Sequence, residues 1–385
     1  MPPTPAYSSL SAPIQLLDLA AEHALLQPAF DEALREVLAS AAFIQGPAVE
    51  QFAAELGEYL GGAEVVPCAN GTDALTLALM SLNLPAGAEV ILPAFTYVAT
   101  LEAAALLGLR PVLVDVRPDT FNIDPAAVAA ATTPRTGAII AVHLFGQCAD
   151  LEALISISQR HGIALIEDNA QAIGATFRFA SGETAFAGTV GEVGTTSFFP
   201  SKNLGALGDG GAMLTRDAAR ATLLRQLANH GQSQKYVHQR IGLNSRLDTL
   251  QAALLRVKLR QLPANTAARQ AVAARYDAAL RLIPGLQIPT RDPRSSHVFH
   301  QYTITLADAE RRDKLRDQLR QRGVPTMIYY PLPGHLQPAY AYLGYQKGQF
   351  PVAERLCETV LSLPIHPLLT EQQQACILEA VAVFG

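Results

Sequence analysis

Cysteine is scarce in this sequence. Only Cys68, Cys148, Cys357 and Cys376 occur among 385 residues, and no two of them form a CxxC pair. A structural zinc site or a disulfide framework requires closely and regularly spaced cysteines. The pattern therefore argues against a metal centre and a disulfide-stapled fold, and it predicts reduced thiols in a protein of the cytoplasm.

Charged residues are also few, at 16% of the chain, and the net charge is −5. No block of lysine and arginine marks a nucleic-acid-binding surface. No run approaches the roughly 18 apolar residues of a membrane span. The amino-terminal MPPTPAYSSLSAP lacks the cationic and apolar segments of a secretory signal. The sequence therefore predicts a cytoplasmic protein with no nucleic-acid or membrane partner.

Two nucleotide-binding fingerprints are missing as well. No GxGxxG follows a strand-like run, and no GxxxxGKS or GxxxxGKT occurs. Their absence argues against the dinucleotide-binding and P-loop classes. An apolar content of 49% over 385 residues fits one large domain and one smaller domain.

Strand-like and helix-like segments alternate between about residues 63 and 216. The short apolar runs are AEVVPC, AEVILPA, PVLVDV, GAIIAVHLFG, GIALIEDNA, VGTTSFFPS and GGAMLT. Alanine- and leucine-rich segments separate them. This alternation predicts a mainly parallel sheet with helices on both faces, with functional residues at the carboxyl ends of the strands.

The remaining segments set the predicted domain limits. Residues 14–60 have helical periodicity, residues 178–194 predict an excursion or hairpin off the sheet, and the tail has the pattern of a smaller α+β unit. We predict a large domain over residues 14–262, including the amino-terminal helical segment, and a small domain over residues 263–385.

Charged and polar residues end the strand-like run in GIALIEDNAQAIGA. The run ends in Glu167 and Asp168, and Gln171 follows three residues later. A carboxylate at the end of a buried strand is costly unless a cation meets it. Asp168 is therefore either a helix cap or structural ion-pair residue, or the partner of a cationic ligand that Gln171 also reaches.

A single lysine stands in the stretch SFFPSKNLGALGDGG, after another apolar run that ends at Ser197. The aromatic residues and proline before Lys202 predict a turn packed into the protein, and the glycines after it leave little side chain to shield the amine. A partly desolvated lysine has a lowered pKa and forms an imine with a carbonyl group. The alternative is an ordinary solvated surface lysine.

Two further features follow strand-like runs. In CANGTDALTLALM, Gly71 and Thr72 stand at the predicted start of a helix, where free backbone N–H groups attract phosphate. The same NGTD pattern is also an ordinary helix cap. In PAFTYVAT, Tyr97 is either a core residue or a ring that stacks on a flat ligand.

Together these segments supply the parts that pyridoxal 5′-phosphate (PLP) needs. The parts are an amine for an imine bond, an acid for the pyridine nitrogen, a phosphate cradle and a stacking ring. The sequence therefore predicts a PLP-dependent enzyme with Lys202 and Asp168 as its catalytic residues.

The order and spacing of the motifs resemble the nucleotide-sugar aminotransferases of the DegT/DnrJ/EryC1/StrS family, from about residue 14 to the end. The matching stretches are CANGTDAL, PAFTYVAT, VDVRPDTFNIDP, FGQCADLEAL, EDNAQAIGA, SFFPSKNLGALGDGGA, HGQ, GLNSRLDTLQAAL, YYPLPGHLQPAY and LSLPIHP. The resemblance implies the α/β architecture of fold type I. In that architecture a large domain has a mainly parallel, mixed seven-stranded sheet between helices, and a smaller α+β domain follows at the carboxyl end.

The resemblance also implies roles for individual residues. Lys202 corresponds to the imine-forming lysine that also moves the proton, so transamination is expected rather than the dehydration of a branch with histidine at this position. Asp168 corresponds to the partner of the pyridine nitrogen. Gln171 would contact the 3-oxygen side of the ring, and Tyr97 would lie against its face. The residues that would hold the phosphate are Gly71, Thr72 and Ser197.

The same resemblance implies partners. Asn244 matches a residue that family members contribute to the phosphate site of the neighbouring subunit, which implies a homodimer with composite active sites. Taken by itself, the sequence around Asn244 favours a helix cap, so the phosphate role of Asn244 rests on the resemblance alone. The expected amino donor is L-glutamate, and the expected acceptor is a nucleotide-linked keto sugar.

The sugar is less well specified. YPLPGHLQPAY and LGYQKGQFPVAERL resemble members that act on 3-keto sugars, and the candidates are a dTDP-3-keto-6-deoxyhexose, slightly preferred, and a UDP-2-acetamido-3-oxo-glucuronate. Arg246 either pairs with a uronate carboxylate or belongs to a structural ion pair. Tyr329 stands where uronate-type members carry histidine. Tyr330 and His335 are further predicted sugar contacts, although His335 is also explained as a packed structural histidine.

One rival belongs to a different functional class. A PLP-binding regulatory protein without turnover would share the cofactor site, since some members of the family were first noticed through regulatory effects. Exposure to glutamate distinguishes the two, because only an aminotransferase carries out the first half-reaction.

Overall fold

The computed structural model describes residues 12–383. Its helices are α1 (Leu19–Ser40), α2 (Pro47–Tyr59), α3 (Gly71–Ser81), α4 (Ala99–Leu106), α5 (Pro125–Ala131), α6 (Leu151–His161), α7 (Ala218–Leu227), α8 (Thr249–Leu259), α9 (Leu262–Leu280), α10 (Ala309–Gln321), α11 (Pro351–Thr359) and α12 (Glu371–Ala382). Its strands are β1 (Glu64–Cys68), β2 (Glu89–Pro93), β3 (Arg110–Val114), β4 (Thr136–Val142), β5 (Ala164–Asp168), β6 (Thr176–Arg178), β7 (Thr184–Phe186), β8 (Val193–Ser197), β9 (Gly211–Thr215), β10 (Gln232–Gln234), β11 (Val237–His238), β12 (Leu286–Gln287), β13 (Tyr302–Leu306) and β14 (Val360–Leu363).

Seven strands form the central sheet, in the order β1-β9-β8-β5-β4-β2-β3. Neighbours from β8 to β3 pair in parallel, whereas β9 pairs antiparallel with both β8 and β1. The predicted mainly parallel, mixed seven-stranded sheet is confirmed, and each of the seven apolar runs contributes one of its strands. Because only β9 runs in the opposite direction, the carboxyl ends of the other six strands meet along one edge.

Helices cover both faces of the sheet because its strands are apolar on both sides. Alternate residues of β2 show this most clearly. Val90 and Leu92 belong to a core that includes residues of α3, α4 and α7, whereas Ile91 belongs to a core that includes residues of α5 and α6. This alternation follows from the two-residue period of a strand.

The amino-terminal helical prediction was right for most of residues 14–60 but missed a break. The chain leaves α1 at Ala41, whose φ of +51° is left-handed, and enters α2 at Pro47. Residues in the break bind the start of α8, where the backbone N–H of Gly46 donates to Thr249 Oγ1 at 3.0 Å. A contact between residues 203 positions apart leaves no periodic signal in the sequence.

A second core lies in the carboxyl-terminal part of the chain, where β12, β13 and β14 form an antiparallel sheet. Helices α9, α10 and α12 contribute to it, and α9 begins at the predicted boundary. Ile14 also packs in this core, although the sequence grouped it with the large domain. The limits at residues 262 and 263 stay predictions.

Two hairpins project from this framework. Strand β7 lies within residues 178–194, which the sequence predicted as an excursion, and it pairs with β6, which begins two residues before that region; β10 pairs with β11 after α7. Within residues 12–383, no helix is both long and apolar enough to cross a bilayer. Residues 1–11, which contain most of the segment used for the leader prediction, lie outside the described range.

Candidate active site

A cavity of about 480 Å³ opens at the carboxyl edge of the central sheet. Its walls follow the ends of β1, β2, β4, β5 and β8, together with two segments from the carboxyl-terminal part. The lining residues are Asn70, Gly71, Thr72, Leu75, Thr96, Tyr97, Ala99, Val142, Phe145, Asp168, Ala170, Gln171, Ser197, Phe199, Ser201, Lys202, Asp209, His300, Gln301, Tyr329 and Tyr330.

Lys202 is half-buried in this cavity. Burial lowers the pKa of its amine to about 8, and the charge of Asp168 opposes that shift. A lysine with such a pKa has a substantial neutral fraction near pH 7 and acts as a nucleophile towards carbonyl groups. The amine is therefore enclosed by protein and is not an ordinary solvated surface lysine.

Asp168 ends β5 and is only 6% exposed. Its carboxylate accepts hydrogen bonds from Thr100 Oγ1 at 3.1 Å and from the backbone N–H of Ala170 at 3.2 Å. Burial raises the pKa of the Asp168 carboxyl, opposed first by the Ala170 bond and then by the charge of Lys202. A bound cation would bring the pKa down again, because it favours the ionised form.

The turn around Lys202 is packed on one side only. Phe198 is fully buried and meets Phe52 edge to face at 5.3 Å between ring centroids, as the sequence predicted, whereas Phe199 is 53% exposed. Gly205 is needed for close approach, because a Cβ there would lie 2.3 Å from the carbonyl oxygen of Pro200. Position 205 therefore requires glycine because a side chain would clash with the backbone of Pro200, and not because its backbone is left-handed.

The first turn of α3 forms one end of the cavity. Asn70 caps the helix, since its side chain accepts the backbone N–H of Asp73 at 2.8 Å, so the cap prediction is right. The backbone N–H groups of Gly71 and Thr72 have no carbonyl acceptor within the helix, because they lie in its first turn. A Cβ on Gly71 would lie 2.7 Å from the Cβ of Ser197. Glycine therefore leaves a small space between the helix end and Ser197, where an anion can meet the free N–H groups.

Gln171 and three aromatic residues form another part of the cavity wall. The Gln171 amide oxygen accepts the backbone N–H of Phe145 at 2.8 Å, and its nitrogen donates to the Tyr330 hydroxyl at 2.9 Å. The Tyr330 ring lies 6.1 Å from that of Tyr97, centroid to centroid. Tyr97 is 57% exposed at the cavity, which excludes the core-residue alternative for it.

His335 is a correction to the predicted sugar contacts. Its side chain is enclosed, binds Glu354 through Nε2 at 3.0 Å and meets the ring of Phe350, and it does not line the cavity. The bond to Glu354 and the packing against Phe350 hold the His335 ring inside the protein. The structural explanation therefore holds for His335, while Tyr329 and Tyr330 do line the cavity.

Asn244 and Arg246 also lie outside the cavity of their own chain. Asn244 is exposed and caps no helix, because α8 begins at Thr249 after Asp248. Arg246 donates to Asn229 Oδ1 at 3.1 Å and lines a separate groove of about 850 Å³ beside β1. That larger groove is lined by no lysine and no histidine, so it offers no amine or imidazole chemistry.

Sequence reasoning missed His300, which reaches the cavity from the carboxyl-terminal part. Its Nδ1 lies 3.3 Å from Asn203 Oδ1, and the Asn203 amide nitrogen donates to the carbonyl of Val298 at 3.0 Å. Burial lowers the pKa of His300 well below its usual value, and the charge of Lys202 adds to the effect. A histidine 98 positions from the lysine carries no local signal that would have identified it.

A fully buried pair, His143 and Glu167, lies behind Asp168. Because Nδ1 of His143 accepts the N–H of Ala149 at 3.0 Å, its Nε2 carries the proton and donates to Glu167 at 2.8 Å. The carboxylate also accepts the backbone N–H groups of Gly188, Val190 and Gly191, at 2.8, 2.7 and 2.7 Å. Burial alone would raise the pKa of Glu167, but these hydrogen bonds together lower it. The pair fixes the loop that leads into β8.

The side chains present fit PLP. The cavity joins an amine of lowered pKa, a buried carboxylate that a pyridinium would ionise, and a helix end whose glycine leaves room for a phosphate. The exposed Tyr97 ring and the Gln171 amide complete the wall that a flat ring would face.

Comparison with known proteins agrees with this arrangement. The model of the DegT/DnrJ/EryC1/StrS aminotransferase family matches residues 25–382. The chain is 44% identical over 356 residues to the UDP-2-acetamido-2-deoxy-3-oxo-D-glucuronate aminotransferase of Pseudomonas aeruginosa, covering 92% of this chain and 96% of that protein.

A second relative acts on a different class of nucleotide sugar. The chain is 42% identical over 368 residues to the dTDP-3-amino-3,4,6-trideoxy-alpha-D-glucose transaminase of Streptomyces venezuelae, covering 96% of this chain and 95% of that protein. The crystal structure of S. venezuelae DesV in complex with a ketimine intermediate superimposes with a TM-score of 0.92 at 42% identity, over 97% of this chain and 98% of the other. The chain therefore belongs to the DegT/DnrJ/EryC1/StrS family and is a PLP-dependent aminotransferase.

Proposed function

We propose that this enzyme transfers the amino group of L-glutamate to a nucleotide-linked 3-keto sugar, giving an amino sugar for glycan or secondary-metabolite biosynthesis. A dTDP-3-keto-6-deoxyhexose is the preferred acceptor, and UDP-2-acetamido-3-oxo-glucuronate is the second candidate. The proposal depends above all on one observation. The Lys202 amine and the Asp168 carboxylate meet in a single cavity, close enough for each to shift the pKa of the other.

The side chains divide the work of the proposed reaction. PLP, when bound, supplies an aldehyde for imine formation and a ring that accepts the electrons of a deprotonated carbon. Lys202 would hold the cofactor through its amine and, when that amine is free, would move the proton that the reaction transfers. Asp168 keeps the ring nitrogen protonated by hydrogen bonding as a carboxylate. The free N–H groups at the start of α3, with Ser197, hold the phosphate in place.

The first half-reaction provides the test of catalysis. Mixing the cofactor-loaded enzyme with L-glutamate, in the absence of sugar, should abolish the visible absorbance of the lysine-bound cofactor and release one 2-oxoglutarate per site. Such half-reactions give ping-pong kinetics when the sugar is added. A PLP-binding regulatory protein without turnover would keep its absorbance and release no 2-oxoglutarate.

The lowered pKa of Lys202 predicts how PLP uptake by the cofactor-free protein depends on pH. Only the neutral amine attacks an aldehyde, so the uptake rate should rise with pH and level off above about pH 8. An unperturbed lysine would keep the rate rising towards about pH 10.4. The measurement is the growth of visible absorbance after mixing with PLP across this range. A rate that still climbs steeply above about pH 9 would contradict the burial of the amine.

A homodimer with composite sites is part of the proposal. Asn244 is exposed and lies outside the cavity of its own chain, which leaves it available to a second copy. Two large apolar side chains are also exposed in this region. Ile241, three residues before Asn244, is 90% exposed, and Ile44, which pairs with Asp248 just before α8, is 53% exposed. Exposed apolar surface of this kind is typical of protein–protein contacts.

A mixing experiment tests the composite site. Lys202→Ala and Asn244→Ala should each be poorly active alone, but equal amounts unfolded and refolded together should recover about a quarter of the wild-type activity, since half of the dimers are mixed and carry one intact site. Activity of the mixture equal to the mean of the two variants would show that Asn244 acts within its own chain. Mixing Lys202→Ala with Asp168→Ala is the control, because both changes affect one chain's site and no recovery is expected.

The acceptor sugar is decided by a panel of enzymatically prepared keto sugars. The dTDP-3-keto-6-deoxyhexose and the UDP-3-oxo-glucuronate are each offered with glutamate, and the product is identified by mass and by the NMR position of the amine. Tyr329 in the cavity favours the deoxyhexose, because uronate-type members carry histidine there. Faster turnover of the uronate would reverse the preference.

A further inference from the structure

Thr100 lies in the first turn of α4 and is only 1% exposed. Its hydroxyl oxygen lies 3.1 Å from Asp168 Oδ2 and 3.3 Å from Thr96 Oγ1. Because an ionised carboxylate can only accept, the single hydroxyl hydrogen of Thr100 is donated to Asp168. The oxygen of Thr100 then accepts the hydrogen of Thr96, which lines the cavity. A chain of two hydroxyl groups therefore ends on the carboxylate.

The two oxygens of Asp168 are held by different segments of the chain. Oδ1 accepts the backbone N–H of Ala170, in the loop after β5, and Oδ2 accepts the hydroxyl of Thr100. Each carboxylate oxygen offers about two acceptor positions, so each keeps one for a donor in the cavity that Asp168 lines. Two separate donors fix the plane of the carboxylate, whereas one donor would leave it free to turn.

The bond between Thr100 and Asp168 spans a gap in the sheet. In the strand order, β4 lies between β5, which ends in Asp168, and β2, which leads into α4. Neighbouring strands are about 4.8 Å apart, so the two segments are roughly 10 Å from each other where the strands end. The turn that starts α4 closes this distance. It includes Tyr97, whose carbonyl accepts the Thr100 N–H at 3.3 Å, so one turn positions both the cavity tyrosine and the carboxylate.

Several groups determine the charge of Asp168. Burial raises the pKa of its carboxyl, and the groups that oppose this shift are, in order, the Ala170 N–H, the charge of Lys202, the Thr100 hydroxyl and the charge of His143. From the carboxyl-terminal part, Tyr330 faces the carboxylate, whose charge contributes to the raised pKa of the Tyr330 phenol. The Thr100 side chain never carries a charge, so replacing it alters the carboxylate without changing the net charge of the site.

We propose that Thr100 is a positioning residue for transamination, whose hydroxyl keeps Asp168 ionised and oriented so that the proton stays on the pyridine nitrogen of the cofactor. A protonated ring accepts the electrons of a deprotonated carbon better than a neutral ring. Without the hydroxyl, the carboxylate binds a proton more strongly, so the proton shared with the ring nitrogen moves towards Asp168. The inference rests on the proposed pairing of Asp168 with the ring nitrogen and adds the residue that maintains it.

The test compares Thr100→Val, which keeps the shape of the side chain but loses the hydroxyl, with Thr100→Ser, which keeps the hydroxyl. Each enzyme is loaded with PLP that carries nitrogen-15 in its ring, and the NMR shift of that nitrogen is recorded near neutral pH. In Thr100→Val the shift should move towards that of a neutral pyridine. The kcat for sugar amination should fall about tenfold, as expected for one hydrogen bond to a charged group, with little change in the KM for glutamate. Thr100→Ser should keep the wild-type shift and most of the activity.

A second measurement requires no cofactor. In cofactor-free protein labelled with carbon-13 at the aspartate carboxyl groups, the Asp168 signal is the one missing from Asp168→Asn. Its titration midpoint should be higher in Thr100→Val than in the wild type, because the lost hydrogen bond favoured the ionised form. The matched control is Thr359→Val, at a buried threonine of α11 whose hydroxyl donates to the carbonyl of Arg355 at 2.8 Å. This control should change neither the midpoint nor the ring-nitrogen shift.

The variants separate this inference from the proposal beneath it. A wild-type ring-nitrogen shift in Thr100→Val, an equal change in Thr100→Ser, or an unchanged Asp168 midpoint would each overturn the role of Thr100. An unchanged ring-nitrogen shift in Asp168→Asn would instead count against the pairing of Asp168 with the ring, since that variant removes the carboxylate altogether.

Discussion

Replacing Lys202 with alanine is expected to lower sugar amination by at least about 10⁴-fold, since both the attachment point of the cofactor and the proton carrier are lost. The visible absorbance of the lysine-bound cofactor should disappear with the activity. Borohydride reduction of the wild-type holoenzyme should label the peptide that contains Lys202, and the variant should give no labelled peptide. Activity is measured with glutamate and the keto sugar, and absorbance is recorded on the same samples.

Two comparison variants separate chemistry from charge and folding. Lys202→Arg keeps a cation in the cavity but cannot form the imine, so it should be as inactive as the alanine variant. Lys314→Ala, on the exposed side of α10, should behave as wild type. If Lys202→Ala aminated the sugar at the native rate, the assignment of the cavity as the active site would be wrong.

The change Asp168→Asn is expected to lower turnover about 10²- to 10³-fold, which is the size of effect seen when one preorganised electrostatic group is removed from a reaction centre. Asparagine keeps the shape and can still accept from Thr100, but it cannot hold the ring nitrogen in its protonated form. PLP should still bind, because the phosphate contacts and Lys202 are intact. Turnover and cofactor content are measured side by side.

A pH profile distinguishes this electrostatic role from simple misfolding. Asp168 raises the pKa of Lys202 by its charge, in opposition to burial. Removing that charge should therefore move the midpoint of PLP uptake to lower pH, so that the amine is neutral over a wider range. The half-buried Asp119, which pairs with Arg117 and does not line the cavity, supplies the control variant Asp119→Asn, for which no shift is expected. An unchanged midpoint in Asp168→Asn would argue against electrostatic coupling between the two residues.

Several features of the fold could be predicted from local sequence. The seven apolar runs specified the strands of the central sheet, because a strand buried on both faces is apolar over its whole length. The NGTD stretch marked the start of α3, since asparagine caps the free N–H groups of a helix. The break between α1 and α2 was missed, because contacts with Thr249, far along the chain, hold it in place.

The candidate site likewise contains some residues that local sequence identified and others that depend on contacts between distant segments. Lys202, Asp168 and Gly71 follow strand ends, where parallel topology brings side chains together, so sequence reasoning found them. His300 comes from a segment whose own sequence carries no motif. Thr100 and Glu167 lie in the motifs PAFTYVAT and EDNAQAIGA, but their contacts with Asp168 and His143 join residues that are distant along the chain. The enclosure of His335, which the structure places against Glu354, also depends on tertiary packing.

By itself, the sequence determined the order of strands and helices, the family, and the residue types that can form an imine and hold a phosphate. These properties depend on local periodicity and on motifs of a few neighbouring residues. Only the tertiary structure decided which of those side chains share a cavity, how far burial lowers the pKa of Lys202, and which residues lie outside the cavity. Burial and electrostatic coupling arise between groups that are distant along the chain, so no short stretch of sequence contains them.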